Sequence, residues 1–161
     1  MFPVNETLRR YLKKNGREVK LPVAYSDLLR YTYSVPLLDK HGKDTLWEKT
    51  IYDKREWDFI REGLVKIYAT LKTEGDLSFI KHLDVARIDY CGFGNSHPFR
   101  IRIVNKFNDN YDHYYIKIAD ASRIYGLELE HLLSPNHITY FTHQETLVEE
   151  HIPGIPGDVF I

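Results

Sequence analysis

Apolar residues in the first half of the chain recur mainly at helical spacing. Asn5 can cap a first helix that ends near Gly16, and a second helical stretch is predicted from about residue 23 to 33, before Pro36. Residues 40–44 form a predicted turn, and residues 45–52 are predicted to be extended. The clearest helix follows Asp53 and ends at Gly75. Its apolar stripe consists of Trp57, Ile60, Leu64, Ile67 and Leu71.

After residue 76 the pattern changes to short alternating runs bounded by turn residues. Strands are predicted at 85–90, 99–107 and 114–119, followed by a helix that ends before Pro135 and by strands at 138–141 and 146–152. The sequence therefore predicts an α+β fold in two parts. Residues 1–75 form a mainly helical N-terminal segment, and residues 76–161 form a five-stranded antiparallel sheet with one main helix.

Composition narrows the class of protein. The chain has 161 residues, of which 43% are apolar, and this is enough for a buried core. Its net charge of −1 provides no chain-wide field for a nucleic acid or an anionic membrane. We expect neither partner, because the basic cluster at Arg9, Arg10, Lys13, Lys14 and Arg17 is typical of a solvated helix face. With a single cysteine, Cys91, and no signal-like or membrane-spanning segment, a cytoplasmic location is expected.

Two segments, together with the predicted element order β-β-β-α-β-β, point to a known family. Residues 114–118 read Tyr-Tyr-Ile-Lys-Ile, and residues 147–154 read Leu-Val-Glu-Glu-His-Ile-Pro-Gly. Over roughly residues 83 to 161, the chain resembles the N-lobe of the protein-kinase superfamily, and its aminoglycoside-phosphotransferase-like branch in particular. The resemblance implies that the first segment is the lysine-bearing third strand, that the second is the hinge, and that the cofactor is ATP.

Lys117 is the candidate phosphate-binding residue. Strand alternation places it on one face with Tyr115 and Ala119, from which an ammonium group can meet the α- and β-phosphates of ATP. The resemblance implies a helix carboxylate as its partner, and Glu128 is preferred to Glu130. Glu128 lies at the edge of an apolar helix face made of Tyr125, Leu129, Leu132 and Leu133, whereas Glu130 points well away from it. The alternative is that these charges are simply solvated.

The remaining candidate residues concern the nucleotide. Gly92 and Gly94 can let the backbone of the first hairpin approach phosphates, or they only make the turn. The resemblance implies that backbone groups of Glu150, His151 and Ile152 hold adenine. Tyr115 occupies the position that roofs the adenine in the family. Its ring can stack on the base, fill the space of the base, or indicate a wrong strand assignment.

The catalytic residues of the resembling family come from a larger C-lobe, and no H-R-D-like, H-x-D-like or D-F-G-like segment follows Gly157. We therefore expect no phosphotransfer by this chain alone, and magnesium only if a C-lobe is supplied. One hypothesis is a truncated or split enzyme that requires the missing C-lobe or a partner protein. The alternative is a non-catalytic interaction or self-association module. The histidines match no metal-binding motif, so no metal site is predicted.

Overall fold

The computed structural model describes residues 2–73, 81–92, 97–133 and 138–151, which build an α+β fold around one seven-stranded antiparallel sheet. The sheet order is β1-β2-β3-β4-β5-β7-β6. The strands are β1 (Tyr33–Leu38), β2 (Asp44–Ile51), β3 (Leu83–Tyr90), β4 (Phe99–Asn105), β5 (Tyr111–Ile118), β6 (Tyr140–His143) and β7 (Thr146–Glu150). The predicted class is therefore confirmed, whereas the prediction of five strands is wrong.

The two additional strands come from the segment that was predicted to be mainly helical. Its first helix, α1 (Glu6–Lys14), is present, and the Asn5 side chain accepts a hydrogen bond from the Leu8 N–H. The second helix, α2, covers only Tyr25–Leu28. The chain then forms the β1–β2 hairpin, whose turn is held by the Asp39 carboxylate and by Gly42 at φ +80°. Pro36 is tolerated because β1 is an edge strand.

The long helix α3 (Lys54–Thr73) confirms the strongest helical prediction. Asp53 caps it by accepting a hydrogen bond from the Glu56 N–H at 2.9 Å. The buried stripe of α3 contains Ile60, Leu64 and Ile67. It packs against β3 and β4, so this helix covers one face of the sheet.

Strand alternation divides the buried residues of the sheet between two cores. On the α3 side, Ile101, Ile116 and Val148 join a large cluster that also includes residues of α2. On the opposite side, Ala119 and Leu147 pack with α1 and with α4 (Ala121–Leu133). Helix α4 thus covers the sheet at its β7–β6 edge.

Helix α4 does not turn the apolar face identified in the sequence towards the core. Its buried residues are Ala121, Ile124, Leu127 and Glu128. Tyr125, Leu129, Leu132 and Leu133 are exposed instead. Glu128 can enter the interior because its carboxylate receives hydrogen bonds from Tyr11, Arg17 and Tyr140.

The sheet contains strands from both sides of residue 75, and β2 pairs with β3 through Glu48 opposite Tyr90 and Lys49 opposite Asp89. The division into parts at 1–75 and 76–161 stays a prediction. Among the residues that the structure describes, no helix is both long and apolar enough to cross a membrane.

Candidate functional site

The side of the central strands that faces away from α3 carries a row of charged and aromatic residues, which we call the basic face. Antiparallel register brings its members together, since Asp89 lies opposite Arg100, and Tyr115 lies opposite both Arg100 and Glu149. Helix α4 borders this face and contributes Arg123. The members on the strands are Arg87, Asp89, Arg100, Arg102, His113, Tyr115, Lys117 and Glu149.

The first charged group is centred on Glu149, which is 2% exposed. The Lys117 Nζ lies 3.0 Å from its Oε2, and the Arg123 Nε lies 3.1 Å from its Oε1. Burial alone would raise the pKa of Glu149, but the charges of Lys117 and Arg123 outweigh burial and hold this pKa below its usual value. Glu149 is therefore a buried carboxylate with two cationic partners.

The second charged group is centred on Asp89, which is completely buried. The Arg87 Nε lies 2.7 Å from Asp89 Oδ1, and the Arg100 Nη2 lies 2.9 Å from Oδ2. The guanidinium of Arg100 also stacks over the Trp47 ring at 4.3 Å from its centre. Each of the two buried carboxylates thus meets two cations, so each group keeps one positive charge in excess.

Aromatic and imidazole rings occupy the part of the basic face beside these groups. The Tyr115 hydroxyl and the His151 Nδ1 are 3.1 Å apart, and the rings of His113 and His151 meet edge to face. Burial is the main cause and the charge of nearby Arg100 the next, and together with the other neighbouring groups they lower the pKa of His113 to about 4. His113 is therefore neutral at physiological pH. The Arg102 guanidinium lies over the Tyr111 ring at 4.0 Å.

The structure places Lys117 on β5 with its side chain on the same side as Tyr115, as strand alternation predicts. It does not form the predicted pair with Glu128. Lys117 binds Glu149 on the neighbouring strand β7, whereas Glu128 accepts hydrogen bonds from Arg17 at 2.7 Å and from Tyr140 at 2.5 Å. The partner assignment is thus corrected, because α4 turns Glu128 towards α1 and β6.

The Glu128 carboxylate is the centre of a separate hydrogen-bonded cluster. Burial favours a higher pKa for this group, but hydrogen bonds from Tyr140, Arg17 and Tyr11 more than compensate and lower it. The cluster joins α1, α4 and β6. The position of Glu128 accordingly supports a structural role.

The predicted hinge residues lie on both faces of the sheet. Glu150 points to the α3 side, where its carboxylate binds the Lys72 ammonium at 3.1 Å, and its backbone N–H donates to the Thr139 carbonyl. His151 lies on the basic face beside Tyr115. Gly92 is exposed, and an added Cβ would meet only the Tyr90 ring at 3.6 Å. Gly94 and Ile152 lie outside the described residues.

Sequence reasoning missed Glu149, Asp89 and their arginine partners. The available signal was the alternation of charged residues with β-branched residues in β3 and β4, as in Arg-Ile-Arg-Ile at 100–103. It indicates a strand with one polar face, although the strand order is needed to bring the charges together. Within the described part of the chain, no three His, Cys, Asp or Glu side chains are grouped so as to hold a metal ion.

Comparisons with protein-family models, with curated proteins and with solved structures found no match to this chain.

Proposed function

We propose that this chain binds a phosphate-bearing nucleotide on the basic face around Lys117 and that the chain alone does not transfer phosphate. The observation that carries the proposal is the charge arrangement of this face. The two groups centred on Glu149 and Asp89 each hold two cations against one carboxylate. Excess positive charge beside a partly desolvated sheet surface favours an anionic ligand.

Lys117 can contact a ligand without leaving Glu149 uncompensated. Arg123 binds both oxygens of this carboxylate, at 3.1 Å and 3.3 Å from its Nε. If Lys117 turns its ammonium to a phosphate, Glu149 therefore retains a cationic partner and the cost of burying it stays low. Arg102 adds a further positive charge to this face, and its buried Nε makes no hydrogen bond with a described residue.

The aromatic side chains favour a nucleotide over free phosphate. Trp47 and Tyr115 are buried in one cluster under this face, and the half-buried His151 lies against the Tyr115 ring. The His151 ring beside these cations provides stacking surface for a base next to donors for its phosphates. ATP is the first candidate, because the resemblance to the kinase N-lobe implies it, with magnesium bound only when a C-lobe supplies the ligands.

The test is thermal unfolding with increasing Mg-ATP, in the wild type and in Lys117→Met. A ligand at about 100 times its Kd stabilises the native state by about 2.7 kcal/mol, which is easily measured as a shift in Tm. We expect a saturable shift in the wild type, no shift in Lys117→Met, and an unchanged shift in the control Lys43→Met, which removes a lysine from the exposed β1–β2 turn.

Comparing each variant with and without nucleotide separates ligand binding from any loss of stability caused by the substitution. A wild-type Tm that does not respond to Mg-ATP would contradict nucleotide binding. In a parallel assay with radiolabelled ATP, turnover by the purified chain would contradict the absence of phosphotransfer.

A second candidate function is self-association through α4, and the exposed face of this helix favours it. Tyr125, Leu129, Leu132 and Leu133 are each more than half exposed, and they follow helical spacing on one side of α4. Large apolar residues that are contiguous on a surface mark interaction sites more often than isolated ones do. Here the interacting partner is proposed to be a second copy of the chain.

Sedimentation at increasing protein concentration tests this second function. We expect the wild type to form dimers and the double variant Leu129→Ser and Leu132→Ser to remain monomeric. The control double variant Leu38→Ser and Phe107→Ser removes two equally exposed apolar residues elsewhere and should dimerise like the wild type. A monomeric wild type over the accessible concentration range would rule out self-association by this face.

A further inference from the structure

A cavity lies away from the basic face, where three segments meet. It is bordered by α1, by the segment around residues 18–29 and by the turn between β6 and β7, and we call it the hairpin cleft. Its volume is about 880 Å³, within the range of small-molecule sites. A smaller cavity of about 300 Å³ adjoins it and shares Arg9, Ile118, Gln144 and Glu145. The charged residues that line the cleft are Arg9, Lys13, Glu18, Lys20 and Glu145, and His143 lies among them.

Glu18 fixes the walls of the hairpin cleft. Its carboxylate accepts a hydrogen bond from the Thr142 hydroxyl at 3.0 Å and from the Gln144 N–H at 3.3 Å, so it clamps the β6–β7 turn. The Arg9 guanidinium lies 3.6 Å from the same carboxylate and is thereby directed along the wall. The Tyr25 N–H donates to the Thr146 hydroxyl at 2.9 Å and ties α2 to the other side of the turn. The cleft is therefore held by bonds between separate segments.

The charges of the cleft are unequally compensated. Glu18 is satisfied by its bonds to Arg9 and to the turn. Lys13 and Lys20 line the same cleft, and neither makes an ion pair with a described residue. Glu145 also lines the cleft, so two ammonium groups without an ion pair lie there beside one further carboxylate. An excess ammonium group of this kind is available to an anion from solution. Apolar lining comes from Leu29, Ile118 and the ring of Tyr25.

We propose that the hairpin cleft is a separate binding site for a small organic anion, with a phosphate or carboxylate group directed to Lys13 and Lys20 and an apolar body against Leu29, Ile118 and Tyr25. This site does not depend on the basic face. No described residue of the basic face lines the cleft, and Ile118, the residue of β5 that does, points to the opposite side of the sheet from Lys117. The two sites can therefore be tested independently.

Phenyl phosphate is the probe, because it joins a phosphate to a flat apolar ring. Its binding is followed by the amide NMR signals of residues 143–146, which report on the β6–β7 turn alone. We expect saturable shifts in these signals. Inorganic phosphate and phenol should each bind more weakly than phenyl phosphate, because inorganic phosphate lacks the apolar ring and phenol lacks the phosphate group.

The double variant Lys13→Gln and Lys20→Gln should lower the affinity for phenyl phosphate about tenfold. This is the combined effect expected from the loss of two surface charge contacts of ordinary strength. The control Lys14→Gln and Lys43→Gln removes two exposed lysines outside the cleft, one of them also in the last turn of α1, and should bind like the wild type. Lys117→Met should leave unchanged the affinity for phenyl phosphate that is measured from the amide signals of residues 143–146.

Three results would overturn the proposal. They are the absence of saturable shifts at residues 143–146, equal affinity of the Lys13 and Lys20 double variant and its control, and equal affinity of phenyl phosphate and inorganic phosphate. A loss of these shifts in Lys117→Met would assign the probe to the basic face instead and would equally reject a separate site.

Discussion

At the residue scale, Glu149 is a buried carboxylate that holds two cations of the basic face in place. A buried carboxylate is costly unless cations and hydrogen bonds compensate the loss of water. Lys117 and Arg123 supply this compensation, and in return the carboxylate fixes their position at the border of α4. One residue thus both stabilises the sheet and organises the proposed phosphate-binding charges.

Replacing Glu149 by glutamine should destabilise the protein by about 3 kcal/mol, because Lys117 and Arg123 would lose the charge that pairs them in a buried setting. Urea unfolding of Glu149→Gln measures the effect. The matched control is Glu62→Gln, which breaks an exposed pair with Lys66 on α3 and should change the free energy of unfolding by less than about 1 kcal/mol. Equal effects of the two substitutions would contradict this role of Glu149.

His113 predicts a pH dependence of stability. Its pKa is about 4 in the folded protein and about 6.5 when unfolded, so the unfolded state binds more protons between these pH values. The free energy of unfolding should therefore fall as the pH is lowered from 6.5 to 4. His113→Gln should lose this part of the slope, whereas His41→Gln in the exposed β1–β2 turn should keep it. Identical slopes in the wild type and His113→Gln would refute the assignment.

The direction of Lys117 could be predicted from the sequence, but its partner could not. Alternation along β5 is a local property, and it correctly placed Lys117 beside Tyr115. The choice between Glu128 and Glu149 depends on which strand lies next to β5 and on how α4 is rotated. Both are tertiary features, and neither is encoded in the spacing of the residues themselves.

At the element scale, two glycines in helices provide a comparison between packed and open surfaces. A Cβ added at Gly63 of α3 would lie 2.3 Å from the Val23 Cγ2, whereas one added at Gly126 of α4 would meet nothing within 4 Å. Val23 is fully buried and its branched side chain has little freedom to move. Gly63 therefore permits the close approach of α3 to the segment before α2.

Gly63→Ala should destabilise the protein by about 1 to 2 kcal/mol, because overpacking exceeds the gain in helix propensity. Gly126→Ala should stabilise it by up to about 1 kcal/mol, since only the helix propensity changes. Both values follow from thermal or urea unfolding at low protein concentration, where self-association does not contribute. A stabilising Gly63→Ala would show that α3 is not packed as described.

Sequence patterns predicted α3 and the meander of β3, β4 and β5 well, because each has a strong local period. They failed where tertiary contacts decide the outcome. The helix predicted at 23–33 is observed only over Tyr25–Leu28, because Tyr33 is the first residue of β1, which pairs with β2. The predicted pairing of Glu128 with Lys117 was wrong because the sequence does not show that α4 buries Glu128 against Tyr140.

At the scale of the whole molecule, the main core draws on both parts of the predicted division. It joins Val23 and Leu28 near the N-terminus and Leu64 of α3 to Ile101 and Val148 of the sheet. Residues that are far apart in the sequence bury one another in this core. The core residues of either predicted part would therefore be exposed without the other part. The two additional strands, β1 and β2, form a local hairpin, but only the pairing of β2 with β3 across the predicted boundary makes them part of the sheet.

A fragment of residues 76–161 should therefore fail to fold, because it would expose the sheet face that α3 covers. We expect no cooperative thermal transition in its near-ultraviolet circular dichroism, and a single cooperative transition in the whole chain. A fragment that unfolds cooperatively would contradict the shared core and would support two independent parts.

The most direct test of nucleotide binding at the basic face is to map the amide NMR shifts caused by Mg-ATP along the whole chain. We expect saturable shifts concentrated on the segments that carry Arg100, His113, Lys117 and His151, with little change along α3, and we expect Lys117→Met to abolish them. Saturable shifts confined to other parts of the molecule, or no saturable shifts at all, would contradict the account.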